Sequence, residues 1–368
     1  MFNLPICSRL TGNLTSGHGW LSRSLDRRIV LVLLPMLLSL GCGKPAGVLF
    51  PPVDPPLVWP APPEPARIRY VGQLATSADL KPAVSGLESM GRALFGKKSA
   101  QSMLSPYAVC TDGKDRLFVA DSNAQLLHVF NLRTRRYARW QPAPPDTFAQ
   151  PVGVAHDPTT GRTFVADSVG GTVHAFDAAG KPLVRTVPGL INRPTGLCFD
   201  VERRRLLVVD TAGHCLHVLT PDLQRLTTVG SRGPAPGQFN YPTSVAVDSA
   251  GRIYVCDALN FRVQQFSPDL SPTGTIGAKG DLPGYLSTPK VVATDTEDHL
   301  YVVDANFENV QIFDHQGRLL LDFGQEGHGP GEFWLPGGLF IDADNRIWIA
   351  DSYNRRIQVF DYLPEAQP

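Results

Sequence analysis

The sequence predicts an all-β protein that folds as a six-bladed β-propeller, and three observations support this prediction. One motif recurs six times: a proline begins an apolar segment, an aspartate 15 or 16 residues later ends a second one, and a phenylalanine or leucine follows nine residues after that. The aspartates are 43 to 47 residues apart, which is the period of propeller blades. Each repeat contains four short apolar segments. The six aspartates are Asp121, Asp167, Asp210, Asp257, Asp304 and Asp351.

The fourth repeat shows how one blade is built. Residues 242–248 (PTSVAVD) are predicted as strand a, 252–257 (RIYVCD) as strand b and 262–266 (RVQQF) as strand c. Strand d corresponds to segments such as 226–230 (LTTVG). The strands are rich in β-branched and aromatic residues, and turn residues separate them, so neighbours are expected to pair antiparallel.

The two ends of the repeat region predict how the ring closes. The last repeat stops after strand c near Asp361, whereas residues 67–72 (RIRYVG) resemble a strand d that precedes the first repeat. We expect these residues to pair with 356–360, which would leave no free sheet edge. The propeller is therefore predicted to span residues 67–363 as one domain.

The N-terminus has the features of an export signal. Three arginines precede residues 29–40, an apolar stretch too short to span a bilayer but typical of a signal-peptide core. The following Ser39-Leu40-Gly41-Cys42 resembles a bacterial lipobox, which implies a lipoprotein signal peptide at 1–41 and lipidation of Cys42. An ordinary secretory signal with a chance cysteine is the alternative. Gly43 resembles the outer-membrane sorting residue of lipoproteins, so we expect a lipid-anchored protein of the bacterial cell envelope, on the periplasmic or surface side.

A proline-rich segment follows Cys42. Nine prolines lie between Pro45 and Pro65, which predicts that residues 42–66 form an extended polyproline II tether of about 3.1 Å per residue. Such a tether would hold the propeller roughly 60 to 70 Å from the membrane.

Three loops before strand a carry a family motif. They read GSRGPAPGQFNYP up to Pro242, GAKGDLPGYLSTP up to Pro289 and GQEGHGPGEFWLP up to Pro336. This pattern resembles the hallmark of NHL-repeat β-propellers, and the signal and tether make the chain similar to bacterial NHL-repeat lipoproteins. The loops of blades 1 to 3 are shorter or degenerate. The resemblance implies the fold, while six-bladed relatives include metal-dependent lyases and lactonases.

The repeated polar residues are predicted to be structural. Equivalent positions on strand b would lie about 12 Å from the propeller axis and as far from one another, too far apart to share a Ca²⁺ ion. Each aspartate is expected to accept hydrogen bonds from the turn between strands b and c. Seven residues later, three blades have histidine and three have glutamine, which predicts polar packing against backbone. No metal, other cofactor or catalytic residue is predicted, and no disulfide joins Cys110, Cys198, Cys215 and Cys256.

The charge and motifs limit the function classes. Without residues 1–41 the chain has 30 basic and 33 acidic residues, from 34 − 4 and 34 − 1, so it lacks the basic surface that nucleic acid requires. No nucleophile or phosphate-loop motif is present. At the predicted channel mouth, the residues after each strand-a proline include no acid and no histidine. They are Tyr107, Val152, Thr195, Thr243, Lys290 and Gly337.

The loops of blades 4 to 6 are the predicted binding surface. The d-to-a and b-to-c loops are expected on one face, where aromatic and basic side chains are typical of interfaces. Packing of Phe261 and Phe307 against the neighbouring blade is the alternative. The candidates are Tyr241, Phe261, Arg262, Tyr285, Lys290, Phe307, Trp334, Tyr353 and Arg355.

An insertion at residues 75–105 departs from the repeat. Val84, Leu87, Met90 or Gly91, and Leu94 have helical spacing, which predicts a short amphipathic helix over the channel mouth. It could serve as a lid, a docking helix or a plug.

Two functions are compatible with these observations. The first is a lipid-anchored, monomeric binding or scaffold module for a protein, peptide or polysaccharide. The second is a metal-dependent lyase or lactonase with its site in the central channel. The fold alone does not choose between them.

Overall fold

The computed structural model describes residues 47–83 and 100–364. In this part of the chain, strands of two to seven residues form six antiparallel sheets, and the only helices are two short 3₁₀ turns, Ser77–Leu80 and Ala258–Asn260. None of the helices in the described part is long and apolar enough to cross a membrane. The predicted all-β, six-bladed architecture is confirmed.

Blades 1 to 3 each contain four strands in the order a, b, c, d. Blade 1 consists of β3 (Pro106–Thr111), β4 (Arg116–Asp121), β5 (Leu126–Asn131) and β6 (Arg136–Trp140). Blade 2 consists of β7 (Pro151–Asp157), β8 (Arg162–Asp167), β9 (Thr172–Phe176) and β10 (Pro182–Arg185). Blade 3 consists of β11 (Pro194–Asp200), β12 (Arg205–Asp210), β13 (Cys215–Leu219) and β14 (Arg225–Val229).

Blades 4 and 5 repeat this order, and blade 6 takes its outer strands from the N-terminal side. Blade 4 consists of β15 (Pro242–Val247), β16 (Ile253–Asp257), β17 (Arg262–Phe266) and β18 (Pro272–Ile276). Blade 5 consists of β19 (Pro289–Thr294), β20 (Leu300–Asp304), β21 (Asn309–Phe313) and β22 (Leu319–Phe323). Blade 6 consists of β23 (Pro336–Ile341), β24 (Arg346–Asp351), β25 (Arg356–Tyr362), β2 (Ile68–Leu74) and β1 (Val58–Trp59).

Strand β2 closes the ring as the sequence predicts. It pairs antiparallel with β25, with Ile68 opposite Tyr362 and Leu74 opposite Ile357. The edge of β2 is covered in turn by β1, which makes blade 6 a five-stranded sheet. This extra strand was not expected from the sequence.

Residues 47–66 lie on the propeller and do not form the extended tether that we expected for this stretch. The Trp59 ring packs 5.9 Å from Phe323 and 5.9 Å from Phe360, between blades 5 and 6. The Tyr70 N–H donates to the Leu57 carbonyl, so the segment is also hydrogen-bonded to β2. The proline count favoured polyproline II, but Leu57, Val58 and Trp59 supply an apolar face that gains free energy by burial.

The core consists of apolar layers between neighbouring blades. Phe164 of blade 2 stacks on Phe199 of blade 3 with ring centroids 5.7 Å apart, and both belong to one buried cluster. Strands b and c are apolar on both faces, because a neighbouring blade covers each face of the sheet. The loops at the ring face therefore rest on a rigid base.

The insertion is described only at its ends. Residues 84–99, which include the predicted helix, lie outside the described residues. At the ends, the Thr76 hydroxyl and the Asp79 carboxylate cap the 3₁₀ turn reciprocally, and Leu80 and Met103 are buried in the cluster between blades 6 and 1.

Candidate functional site: the loop face and the channel mouth

Each repeat aspartate ties two loops to the end of strand b. Asp121 is fully buried and accepts the backbone N–H groups of Leu104 and Ser105, from the d-to-a loop, and of Ala124, from the b-to-c turn. The sequence predicted the contact with the turn, and the structure adds the contact with the preceding loop. The d-to-a and b-to-c loops thus lie on one face, which we call the loop face.

The residue seven positions after the aspartate holds the d-to-a loop in blades 4 to 6. Gln264 Nε2 donates to the Gln238 carbonyl and to Asp257, and Gln264 Oε1 accepts the Gly237 N–H. Gln311 and Gln358 make the equivalent backbone contacts. The predicted polar packing against backbone is confirmed for these glutamines.

The histidines in blades 1 and 3 use a different partner. His217 joins Asp210 to the Thr228 hydroxyl of strand d, and His128 contacts Asp121 and the Tyr137 hydroxyl. Burial alone would raise the pKa of Asp210, but hydrogen bonds from His217 and three backbone N–H groups lower it to about 2. These histidines therefore support a sheet rather than a loop.

Every d-to-a loop inserts an apolar side chain three residues before its proline. The family motif places a phenylalanine or leucine there in blades 4 to 6, but blades 1 to 3 have the same feature without the motif. Counting back from each proline would have found it. All six side chains are buried, namely Met103, Phe148, Ile191, Phe239, Leu286 and Phe333.

The first glycine of the motif makes room for this apolar side chain. A Cβ on Gly230 would lie 2.5 Å from the Phe239 ring, and one on Gly324 would lie 2.2 Å from the Phe333 ring. Both glycines also have positive φ, which glycine adopts at little cost. The backbone at this glycine can therefore pack directly against the buried phenylalanine ring. The residues between the glycine and the phenylalanine lie at the surface.

Four of the predicted binding residues are exposed aromatic side chains on the loop face. Their exposed fractions are 38% for Tyr241, 43% for Tyr285, 40% for Trp334 and 57% for Tyr353. Trp334 and Tyr353 are neighbours, with ring centroids 5.2 Å apart. Arg355, in the same turn as Tyr353, is also exposed.

The other predicted binding residues lie elsewhere or are engaged by the protein. Arg262 donates from Nε to Asp257 and from Nη2 to the carbonyls of Ala235 and Gln238, so it anchors the neighbouring d-to-a loop and is not a free surface cation. Phe261 is half-buried beneath the Lys279 ammonium, 4.9 Å from the ring centroid. Phe307 is also half-buried.

Lys290 lies at the mouth of the central channel. In all six blades the a–b register shifts by one residue just after the proline, and such bulges redirect side chains. In blade 5 the residue after the proline is Lys290, whose Nζ is 4.8 Å from the centroid of the Tyr107 ring of blade 1. Blade 6 lies between them and has Gly337 at this position.

The channel mouth opens into a cavity of about 370 Å³. Strand-a residues of all six blades form its wall, which is mostly aliphatic and includes backbone groups. Within the described residues, its charged or titratable groups other than thiols and the Tyr107 phenol are Lys290, Arg193 and His156. No carboxylate lines it, and burial lowers the pKa of Lys290 to about 8.

Residues 288–364 match the family described as 6-bladed beta-propeller, and residues 239–266 match the NHL repeat family. The chain folds as a six-bladed β-propeller, and part of it matches the NHL repeat. It is 35% identical over 100 residues to human NHL repeat-containing protein 3, a match that covers 26% of this chain and 28% of the human protein. The chain thus spans under a third of that curated relative.

Solved structures share the propeller architecture. Virginiamycin B lyase from Staphylococcus aureus superposes with a TM-score of 0.54 at 15% identity, over 71% of this chain and 96% of the lyase. A structural genomics protein of unknown function from Bacteroides thetaiotaomicron gives a TM-score of 0.56 at 15% identity, over 70% of each chain. At these identities the likeness concerns the fold.

The described part of the channel wall does not fit a catalytic metal ion. Its one imidazole, His156, lies near the far end of strand a, where Nδ1 contacts the Thr163 hydroxyl and the ring stacks on Phe118. Ca²⁺ sites need six or more oxygen ligands, and catalytic zinc sites need three protein ligands. The described wall offers neither set.

One cluster of possible metal ligands lies inside blade 3. The ligand atoms of Asp210, Cys215 and His217 are within 4.8 Å of one another and are buried. In blade 4 the same three positions hold Asp257, Arg262 and Gln264, which are joined by hydrogen bonds. The cluster is therefore the blade 3 version of a structural contact, and burial raises the pKa of Cys215 to about 11.

In the described chain the cysteines at 110, 198, 215 and 256 are free thiols.

Proposed function

We propose that this NHL propeller is a lipid-anchored protein of the bacterial cell envelope that binds a protein partner on the loop face of blades 4 to 6. The observation that carries the proposal is the group of four exposed aromatic side chains on that face. The partner's identity is open, and a peptide would use the same surface.

The exposed aromatic group has the properties of an interface, although Tyr241 also packs on the His214 ring, with centroids 4.6 Å apart. Tyrosine and tryptophan are enriched where binding energy concentrates. Trp334 contacts Tyr353 and the exposed His328, whose ring centroid is 5.0 Å away. The blade core has its own aromatic side chain in each loop, such as Phe333, so Trp334 is not needed to seal it.

The same loops are held rigidly, which favours binding. Asp351 accepts the Trp334 N–H, and Gln358 accepts the Gly331 N–H. A surface that is ordered before it meets its partner loses less conformational entropy on binding.

The proposed anchor would hold the propeller close to the membrane. The carbonyl of Gly47 already accepts a hydrogen bond from Arg135 of blade 1. Gly47 follows Cys42 by five positions, a chain length of at most about 18 Å when fully extended. This distance replaces the stand-off of 60 to 70 Å that the proline count suggested.

Lipidation is tested by feeding cells an alkyne-tagged fatty acid and measuring its attachment to the full chain. We expect incorporation that is lost in Cys42→Ala. Labelling that survives this substitution, or that is absent from the parent chain in a membrane fraction, would contradict the anchor.

Partner binding is tested by recovering the full chain from detergent-solubilised membranes. We expect one envelope protein to copurify with the parent and with the control Val169→Ala, which changes an exposed residue in the b-to-c turn of blade 2. The double variant Trp334→Ala, Tyr353→Ala should lose it. Equal recovery from both variants, or recovery of polysaccharide alone, would contradict the proposal.

A further inference from the structure

A second site is indicated at the channel mouth, by groups that the proposed protein interface does not use. Lys290 follows the bulge of β19 and lines the cavity at the channel mouth, where its side chain is partly exposed. Across the described residues, Nζ forms no hydrogen bond or ion pair, and it lies 4.8 Å from the centroid of the Tyr107 ring. Partial burial removes water from the ammonium, and no described side chain pairs with it to offset this cost.

Two further donors face the same space. The Tyr107 hydroxyl has no hydrogen-bond partner in the described chain. Burial raises the pKa of Tyr107, and the positive charge of the nearby Arg193 guanidinium offsets only part of this rise. The exposed Arg193 side chain donates from Nε to the Ser168 hydroxyl, and its guanidinium pairs with no described carboxylate. An ammonium, a guanidinium and a phenol therefore border one cavity without an acceptor.

The nearest acid does not neutralise this group. Glu308 is buried in the b-to-c turn of blade 5, where its carboxylate accepts the Leu335 N–H of blade 6. Glu308 is not part of the cavity wall and forms no ion pair with Lys290 among the described residues, although its negative charge favours the charged form of Lys290. Its charge reaches Lys290 only through space, so the cavity itself remains positive.

The rest of the wall indicates the body of the ligand. Hydroxyls near the mouth are already used: Thr243 donates to the Lys290 carbonyl, and Thr211 donates to the Pro242 carbonyl. Below them the wall is aliphatic, with Val154, Val245 and Val292 among its residues. A cavity of about 370 Å³ is within the range of small-molecule sites.

We propose that the channel mouth binds a small organic carboxylate, whose anionic group contacts Lys290, Arg193 and Tyr107 while its apolar body enters the aliphatic channel. Carboxylate oxygens accept charge-assisted hydrogen bonds from these donors.

The test compares acids with their uncharged amides on the full chain. Calorimetric titration with 3-phenylpropionate and hexanoate, against 3-phenylpropanamide and hexanamide, separates the charge from the apolar body without any substitution. We expect saturable binding of at least one acid and at least tenfold weaker binding of its amide. Equal binding of acid and amide, no binding of either acid, or binding of sodium phosphate alone would overturn the proposal.

A variant pair and a pH series locate the site. Lys290→Met removes the charge but keeps a side chain of similar length, and it should weaken acid binding at least tenfold. The control Lys279→Met, in an exposed loop, should leave the affinity for the acid unchanged. Since the pKa of Lys290 is about 8, binding should be strongest below pH 8 and weaken as the pH rises above it. Unchanged affinity in Lys290→Met with a normal melting temperature, or no decline up to pH 10, would show that Lys290 is not the contact.

Discussion

Blades 1 to 3 and blades 4 to 6 share one architecture but hold their loops in different ways. In blades 4 to 6 the d-to-a loop forms a short parallel bridge, as between Arg232 and Phe239, and a glutamine side chain binds its backbone. In blades 1 and 3 a histidine binds strand d instead. The exposed aromatic side chains of the loop face lie on the half with the glutamine-held loops.

This difference separates the residues that maintain the fold from the residues that are expected to carry the function. The aspartate and the buried apolar side chain are present in all six blades, so they maintain the ring. The long glycine-rich loops, their glutamines and their exposed aromatic side chains occur in three blades. Function is therefore expected where the two halves differ.

The largest expected effect comes from removing an aspartate of blade 4. Asp257 accepts from Arg262, Gln264 and the Asn240 N–H, so Asp257→Ala leaves a buried cation unpaired and should cost about 3–5 kcal/mol of unfolding free energy. Asp167→Ala in blade 2 removes bonds to backbone N–H groups only and should cost about 1–3 kcal/mol. Urea unfolding measures both. An equal cost in the two blades would remove the distinction between the halves.

A medium effect is expected from acid on blade 3. The folded pKa of Asp210 is about 2, below its ordinary value of 3.8, so its contribution of about 2 kcal/mol is present above pH 4 and is lost as the pH falls toward 2. The stability difference between the parent and Asp210→Asn should therefore narrow from pH 6 to pH 2 in urea unfolding. A constant difference would show that the carboxylate charge contributes nothing.

The smallest effect is expected from exchanging the residue that distinguishes the halves. Gln264→His cannot reproduce all three contacts of the amide, so one buried polar group loses its hydrogen-bond partner. The expected loss of unfolding free energy is about 1–2 kcal/mol. The Gly237 N–H should then exchange faster with solvent, while that of Val173 in blade 2 stays slow. An unchanged exchange rate of the Gly237 N–H would mean that the order of the d-to-a loop does not depend on the glutamine.

The sequence predicted the features that repeat. The spacing of the aspartates gave the number of blades, and residues 67–72 gave the closing strand, since both depend on local patterns that recur. The apolar plugs Met103, Phe148 and Ile191 were missed because no glycine motif surrounds them, although their distance from each proline is constant.

The features that were not predicted depend on tertiary contacts. Proline content favoured an extended tether, but the partner surface for Trp59 exists only after blades 5 and 6 have packed. Arg262 was assigned to the surface because a single sequence does not show that its guanidinium meets two carbonyls of another loop. Likewise, Lys290 was placed with both the mouth and the loop face, and the bulge turns it toward the channel.

The central claim is that the loop face of blades 4 to 6 contacts a protein partner in the cell envelope. Its most direct test places a photo-crosslinking amino acid singly at Tyr285, Trp334 and Tyr353, and at Val169 and Val187 on blades 2 and 3 as controls, all of which are exposed. After illumination in intact cells, we predict that the three aromatic positions give the same crosslinked protein and that the two valine positions do not. Crosslinks of equal yield from both halves, or none from the three aromatic positions, would contradict the claim.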